Sequence, residues 1–210
     1  MRQTTRRGMV IIVSAPSGAG KTTLTRHLMQ HVPGVVFSVS TTTRDQRPGE
    51  RAGVDYHYVT RESFLEQVEQ GAFLEWAEVF GNYYGTTRRA VEEVLLRGED
   101  VLLDIDWQGA RHIRAHLDEA DVASIFILPP SREVLTERLV NRAREGQAEI
   151  DRRLGEARRD IGRAEEYDYL VINDRVEEAG EALVAIVRAE RLKRHRQMDR
   201  VAGILSTFQG

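Results

Sequence analysis

Apolar positions follow two rhythms along this chain, and their alternation predicts its architecture. Residues 9–13 (MVIIV) form an unbroken, largely β-branched run, as expected of a strand buried on both faces. Residues 100–106 (DVLLDID), 123–128 (ASIFIL) and 169–173 (YLVIN) repeat that character. Helical spacing fills the gaps. Residues 21–31 carry Leu24, Leu28 and Met29 on one side, and Pro33-Gly34 ends the pattern. Residues 108–117 read as a short helix, and Ser131 caps another that runs to about Arg142. Residues 176–197 form a long amphipathic helix through Ala182, Leu183, Ile186, Val187 and Leu192. Apolar strands separated by helices predict an α/β fold: a parallel sheet flanked by helices on both faces.

Residues 41–97 break that rhythm. After a strand-like stretch at 35–40 (VVFSVS), residues 41–50 (TTTRDQRPGE) are polar and irregular, with a Pro-Gly turn. Residues 55–59 alternate as a short strand, and Thr60 caps a helix to Gln70 with Phe64, Leu65 and Val68 as its buried stripe. Residues 72–80 (AFLEWAEVF) read as another strand, Gly81-Asn82 as a turn, and Thr86 or Thr87 as the cap of a helix closed by Gly98. The stretch is expected to be an inserted, strand-rich lobe that binds a substrate. Residues 142–166 are densely charged, poor in large apolar groups and broken at Gly146. They read either as a solvated helix laced with pairs such as Glu149–Arg153 or as a polar helical lid over 138–166. That leaves 8–40, 98–137 and 167–197 as the core, with 1–7 and 198–210 as tails.

One junction carries recognisable chemistry. The strand at 9–13 runs into Ser14-Ala15-Pro16-Ser17-Gly18-Ala19-Gly20, then Lys21-Thr22-Thr23 and a helix. Small residues let a backbone wrap a phosphate, with N–H groups aimed inward at the positive end of the helix. Lys21 reaches the β- and γ-phosphates in such a loop, and Thr22 offers its hydroxyl to Mg²⁺. Ala15 stands where G-x-x-x-x-G-K-[ST] has its first glycine. The run ending in Asp104 and Asp106 has the form of a Walker-B strand. Its acids should lie near the loop, because ligands gather at the C-terminal ends of parallel strands. Arg44 and Arg47, three apart among hydroxyls, suit either anion recognition or an ordinary exposed loop. Glu75 and Glu78, among apolar neighbours, read as solvent-facing strand positions or buried ligand contacts.

Composition narrows the classes. At 210 residues the chain is one domain, or a core with insertions. A net charge of −3 argues against nucleic-acid binding by the whole molecule, and the absence of cysteine excludes disulfides, thiol catalysis and cysteine-based zinc sites. The six histidines show no metal-ligand spacing in a known context. His112 and His116 are four apart but lack an H-E-x-x-H setting, so they read as solvated helix positions. No segment approaches a membrane span, the run after the basic Arg2, Arg6 and Arg7 is too short for a signal peptide, and the cytoplasm is expected.

Taken together, these stretches resemble the guanylate kinase family, of the P-loop nucleoside monophosphate kinases. SAPSGAGKTTL is similar to its phosphate loop, and Ser40-(x3)-Arg44-(x2)-Arg47-Pro48-Gly49-Glu50 to its nucleotide-phosphate loop. Tyr56, FLEWAEVFGNYYGT and LDIDWQGA complete the pattern, over roughly residues 8–197. Arg142 is followed by Ala143 where the family usually has Gly. The resemblance implies Mg²⁺-dependent transfer of the γ-phosphoryl group of ATP to GMP, with dGMP as a further acceptor. By position, Ala15 to Thr23 would bind ATP phosphates and Asn173 would lie beside adenine. Ser40, Arg44, Arg47, Tyr56 and Tyr84 would hold the GMP phosphate. Glu75 and Thr86 would read guanine with Asp106 nearby. Lys21, Arg138, Arg142 and Arg153 would surround the transferring group, and Thr22 would meet the metal, with Asp104 acting through water. Two other readings compete: a non-enzymatic guanylate-kinase-like scaffold domain, and a kinase for another nucleoside monophosphate. The first typically lacks the loop lysine and lid arginines present here. The second differs in its base-reading residues. Self-association is left open.

Overall fold

The computed structural model describes residues 7–79, 81–142 and 146–208, with the Arg142 side chain outside that set. In chain order its strands are β1 (Val10–Ser14), β2 (Val35–Phe37), β3 (Thr41–Thr42), β4 (His57–Tyr58), β5 (Phe73–Val79), β6 (Asn82–Thr87), β7 (Asp100–Asp104), β8 (Val122–Leu128) and β9 (Tyr169–Ile172). The helices are α1 (Lys21–His31), α2 (Arg61–Glu69), α3 (Arg88–Leu96), α4 (Trp107–His116), α5 (Arg132–Arg142), α6 (Gln147–Ile161), α7 (Val176–Arg191) and α8 (Arg194–Ser206).

Five strands form a parallel sheet in the order β2-β7-β1-β8-β9. Strand β1 is central, with Val10 opposite Val101 on one side and Val122 on the other. The period of two sorts its side chains into two cores. Ile11 and Val13 pack with Leu24 and Leu28 of α1 and with Leu183 and Val187 of α7. Val10 and Ile12 face Val91 and Leu95 of α3 and Ile113 of α4. Both faces are therefore covered, which is why β1 tolerates no polar residue before Ser14.

The second sheet has four strands in the order β4-β3-β6-β5, built on a β5–β6 hairpin. Its small core stacks Phe64 of α2 on Phe73 at 4.4 Å and on Tyr83 at 5.3 Å between ring centroids. The stretch read as one strand over 35–40 is a strand only over Val35–Phe37, and the irregular stretch after it holds a short strand of the second sheet. That strand, Thr41–Thr42, pairs with β6. The hydroxyls of the polar stretch have a structural use. Thr42 Oγ1 donates to Tyr83 O at 2.9 Å and accepts from Arg44 N, and Thr43 Oγ1 accepts from Tyr83 N.

Two differences lie at the C-terminus. The helix expected over 176–197 stops at Arg191, and residues 198–206, expected as tail, belong to α8. The cause is a charge that periodicity does not reveal. Glu190 is buried and draws in Tyr169 Oη, Lys193 Nζ at 2.7 Å and Arg196 at 3.8 Å. Docking Arg196 on Glu190 requires the chain to bend after Leu192 and start a new helix.

Candidate active site

The loop after β1 is held by its own backbone and by two distant strands. Ser14 Oγ donates to Ile105 O at 2.7 Å, and Ala19 N donates to Pro16 O at 3.1 Å. Gly18 and Gly20 take φ values of 89° and 99°, which disfavour any side chain. At Gly20 a Cβ would also fall 2.3 Å from Asn173 Nδ2. That amide donates to Ala19 O at 2.7 Å. Asn173 is thus 1% exposed and tied to the loop, rather than presenting its amide to a ligand. No side chain caps α1, so its N-terminal partial charge faces the loop. Lys21 Nζ pairs with Asp104 at the end of β7, as expected for the acid of that strand. Thr22 and Thr23 are exposed on the first turn.

A cavity of about 260 Å³ opens between the two sheets, and Ser40, Tyr56, Glu75, Tyr84, Asp104 and Asp106 help line it. Five of the eight residues expected around GMP therefore share one cavity. Glu75 owes its position to a bulge: the β5–β6 register shifts between Phe73 and Glu75, so that Phe73, Leu74 and Glu75 are all buried. Burial pushes the Glu75 carboxyl up to about 7. The neighbouring Thr86 hydroxyl and backbone favour the charged form, while the negative charge of Asp106 adds to the rise. The Thr86 hydroxyl is buried, lies opposite Glu75 and falls short of hydrogen-bond geometry with any partner. Gly109 makes room for the carboxylate, since a Cβ there would lie 2.9 Å from Glu75 Oε2. Asp106 itself caps α4, accepting from Gln108 N and Gly109 N.

Glu50 was quoted in the motif without a role, and it organises the arginine loop. It takes both N–H groups of a fork from Arg44 Nη2, at 2.7 and 3.0 Å to its two oxygens. It also accepts from Arg47 N and Tyr58 Oη. The Arg44 guanidinium foremost, then the Arg47 N–H and the Tyr58 hydroxyl, hold its carboxyl down at about 2. Arg44 lies 5.3 Å over the Tyr56 ring, and Tyr56 meets Tyr84 edge-on at 6.0 Å. The Arg47 side chain is exposed. A glutamate six residues after Arg44, past a Pro-Gly turn, was the available signal.

Of the expected lid arginines, Arg138 and Arg153 have different partners. Arg138 Nη2 donates to Asn173 O at 2.9 Å, and its Nη1 is buried without a partner. Arg153 is paired with Glu149 at 2.8 Å, within a cluster that includes Arg152 and Glu156. The Arg142 side chain and Ala143 lie outside the described residues.

A glycine loop between the first strand of a parallel sheet and an uncapped helix, with a lysine on that helix, defines the P-loop class of phosphate-transfer proteins. The guanylate kinase family model matches residues 7–190. The chain is 52% identical over 204 residues to the guanylate kinase of Vibrio cholerae, covering 96% of this chain and 98% of that one. It is 50% identical over 193 residues to the guanylate kinase of Rhodopseudomonas palustris, covering 92% and 87%. The crystal structure of guanylate kinase from Anaplasma phagocytophilum superposes with a TM-score of 0.75 at 38% identity, covering 91% and 90%. This chain belongs to the guanylate kinase family. It is a nucleoside monophosphate kinase that transfers a phosphoryl group from ATP to GMP. Among the described residues, no helix is long and apolar enough to cross a membrane.

Proposed function

We propose that GMP fills the cavity between the sheets, its base against Glu75 and Thr86. The supporting observation is the buried polar pair at that register, whose hydroxyl falls short of hydrogen-bond geometry. A buried carboxylate faces a buried hydroxyl without a partner, and such groups are rarely left unsatisfied. Guanine offers adjacent donors at N1–H and its 2-amino group, which an ionised carboxylate accepts as a pair. Its O6 accepts from Thr86. Adenine lacks both donors at those positions. Asp106 keeps the start of α4 against this corner and favours guanine N–H groups by its charge. Ser40, Arg44, Arg47, Tyr56 and Tyr84 take the GMP phosphate, and dGMP enters the same way, since none of these contacts reads the 2′-hydroxyl.

ATP lies along Ala15 to Thr23, with Asn173 bracing that loop. Hard oxygen donors fit the family's Mg²⁺: the Thr22 hydroxyl is exposed on the first turn, and the Asp104 carboxylate stands beside Lys21. When bound, Mg²⁺ neutralises phosphate charge. The protein supplies the remainder through Lys21, Arg138, Arg142 and Arg153 around the transferring group. The free Arg138 Nη1 supports its share. No general base is needed, because a phosphate monoester has a second pKa of about 6 and is largely ionised at neutral pH. Positioning and charge neutralisation then carry the reaction. Residues 41–97 form the GMP lobe and 138–166 the lid, which closes to exclude water. ADP production with GMP, dGMP, IMP, AMP, UMP and CMP tests this. GMP and dGMP should be used, IMP weakly because it lacks the 2-amino donor, and the others hardly. Equal use of GMP and AMP would overturn the base assignment.

A further inference from the structure

On the far side of α1 from the phosphate loop lies a group of side chains that phosphoryl transfer does not use. His27 and His31 sit one turn apart on α1, and Glu181 reaches them from α7. One donor atom of each lies within 4.8 Å of the other two. His27 Nε2 is 3.2 Å from Glu181 Oε1. Two ligands of one tetrahedral zinc ion, each at about 2.0–2.1 Å, are separated by roughly 3.3 Å. The His27–Glu181 spacing therefore suits a shared ion, and His31, within 4.8 Å, reaches it by turning its side chain.

Further details favour a cation here. His31 Nδ1 lies 2.8 Å from His27 O. A carbonyl only accepts, so this nitrogen carries the proton and Nε2 keeps its lone pair for a ligand. The two rings stack at 4.0 Å with planes 20° apart, and since each lone pair lies in its own ring plane, the His31 ring has to turn about its side-chain bonds before both nitrogens can meet one ion. The His27 ring rests on Gly180, where a Cβ would come within 2.7 Å of it. Glycine is unfavourable inside a helix such as α7, and the close approach of this imidazole accounts for it. His31 also ends α1, where the carbonyl dipoles favour positive charge. Arg188 opposes this: its Nη2 donates to His31 O at 3.2 Å and brings a competing cation.

We propose that His27, His31 and Glu181 form a site for a transition-metal cation, with zinc(II) the best match, distinct from the Mg²⁺ of catalysis. Two imidazoles and a carboxylate select zinc, nickel or copper over magnesium and calcium, which prefer all-oxygen shells. The ion ties the end of the phosphate-loop helix to α7 and stabilises the native chain by binding it in preference to the unfolded one. Histidine spacing does not reveal the site, because its third ligand comes from a helix 150 residues beyond His31 in sequence. His112 and His116 provide an internal control. They have the same spacing and a similar Nδ1–carbonyl contact of 2.7 Å, but their rings are 6.3 Å apart and edge-on. No carboxylate joins them in a cluster among the described residues.

The test uses the full chain without nucleotide. Zn²⁺ is titrated calorimetrically, Co²⁺ is followed by visible absorption, and melting is recorded with Zn²⁺ and with EDTA. The expected result is one saturable equivalent with a raised Tm. His31→Gln and Glu181→Gln, both at exposed positions, should each weaken Zn²⁺ by about tenfold or more. His112→Gln with His116→Gln should leave the isotherm unchanged. Absence of saturable binding to the parent chain would overturn the proposal, as would equal affinity in either single variant or loss of binding in the double variant. Circular dichroism establishes that each variant is folded, and if one is not, the other decides.

Discussion

Around the phosphate loop, the parts of the site come from one short stretch: Ser14 to Lys21 supply the turn, the helix end and the charge. The cavity between the sheets draws instead on residues from Ser40 to Asp106, carried by β5, β6 and the segments after β2, β4 and β7. The loop acts chiefly through backbone N–H groups and glycine conformations. The cavity acts through side chains whose burial sets their protonation. The first side is therefore largely set by local geometry, with Ile105 and Asn173 bracing it from a distance. The second depends on a β-bulge, a close glycine and two acids facing each other. It combines recognition with latent instability, since a carboxylate is held buried beside the charge of Asp106.

Glu75→Gln strikes that second side, and the largest effect is expected there. A site built to hydrogen-bond a polar group rejects an analogue lacking it by about 10⁴-fold or more. The kcat/KM ratio of GMP over AMP should collapse on that scale, and an unchanged ratio in a folded variant would place guanine reading elsewhere. The same substitution should stabilise the empty protein at alkaline pH. The folded carboxyl sits near 7, above its ordinary value of 4.5, so the folded state holds more protons between those values. Its contribution to stability falls as pH rises through that window, by about 3 kcal/mol in all. Urea unfolding at pH 8 should show Glu75→Gln more stable by up to about that amount, and the difference should vanish near pH 4. GMP binding by the parent should strengthen as pH rises through 7, over and above the phosphate's own ionisation near about 6. Glu75→Gln should retain only the latter component.

Lys21→Met attacks the loop side, and the expected loss in kcat is about a hundredfold, the scale of one preorganised charge contact. The fold should persist, because Asp104 stays on a strand held by β1 and β2; near-normal turnover would remove Lys21 from the reaction. Arg153→Ala tests a residue belonging to neither side in this conformation. A fall of about tenfold in kcat with GMP affinity kept would mark a contact made only on closure. A fall in stability alone would leave Arg153 as the surface partner of Glu149. Glu50→Gln is the mildest. It weakens the brace on Arg44, so KM for GMP should rise by about tenfold, near the worth of one charge-assisted hydrogen bond, with kcat nearly kept. Equal losses in kcat and KM would show that Glu50 does more than position Arg44.

Local chemistry settled much of this protein in advance. Apolar runs at 9–13, 101–103 and 125–128 read as strands buried on both faces, and the helical stripes between them point to a parallel sheet. Gly18 and Gly20 with Lys21 spell out the loop because its function resides in the backbone, and backbone preference is a property of neighbouring residues. Thr60, Thr87 and Ser131 cap the helices they announced, accepting from Ser63 N, Ala90 N and Val134 N. Tertiary structure alone decided the rest. Alternation left Glu75 open between solvent and ligand, and only the bulge turned it inward. Glu50 is a hub because folding brings Arg44, Tyr58 and the Arg47 backbone around it. Asn173 braces a loop 154 residues away, and Glu190 ends α7 because Arg196 and Tyr169 converge on it. His27 and His31 gain a third ligand only where α7 crosses α1. Short-range order follows from the propensities of adjacent residues. Burial, and with it the charge state and partners of each acid, is a sum over contacts that exist only once the chain has closed on itself.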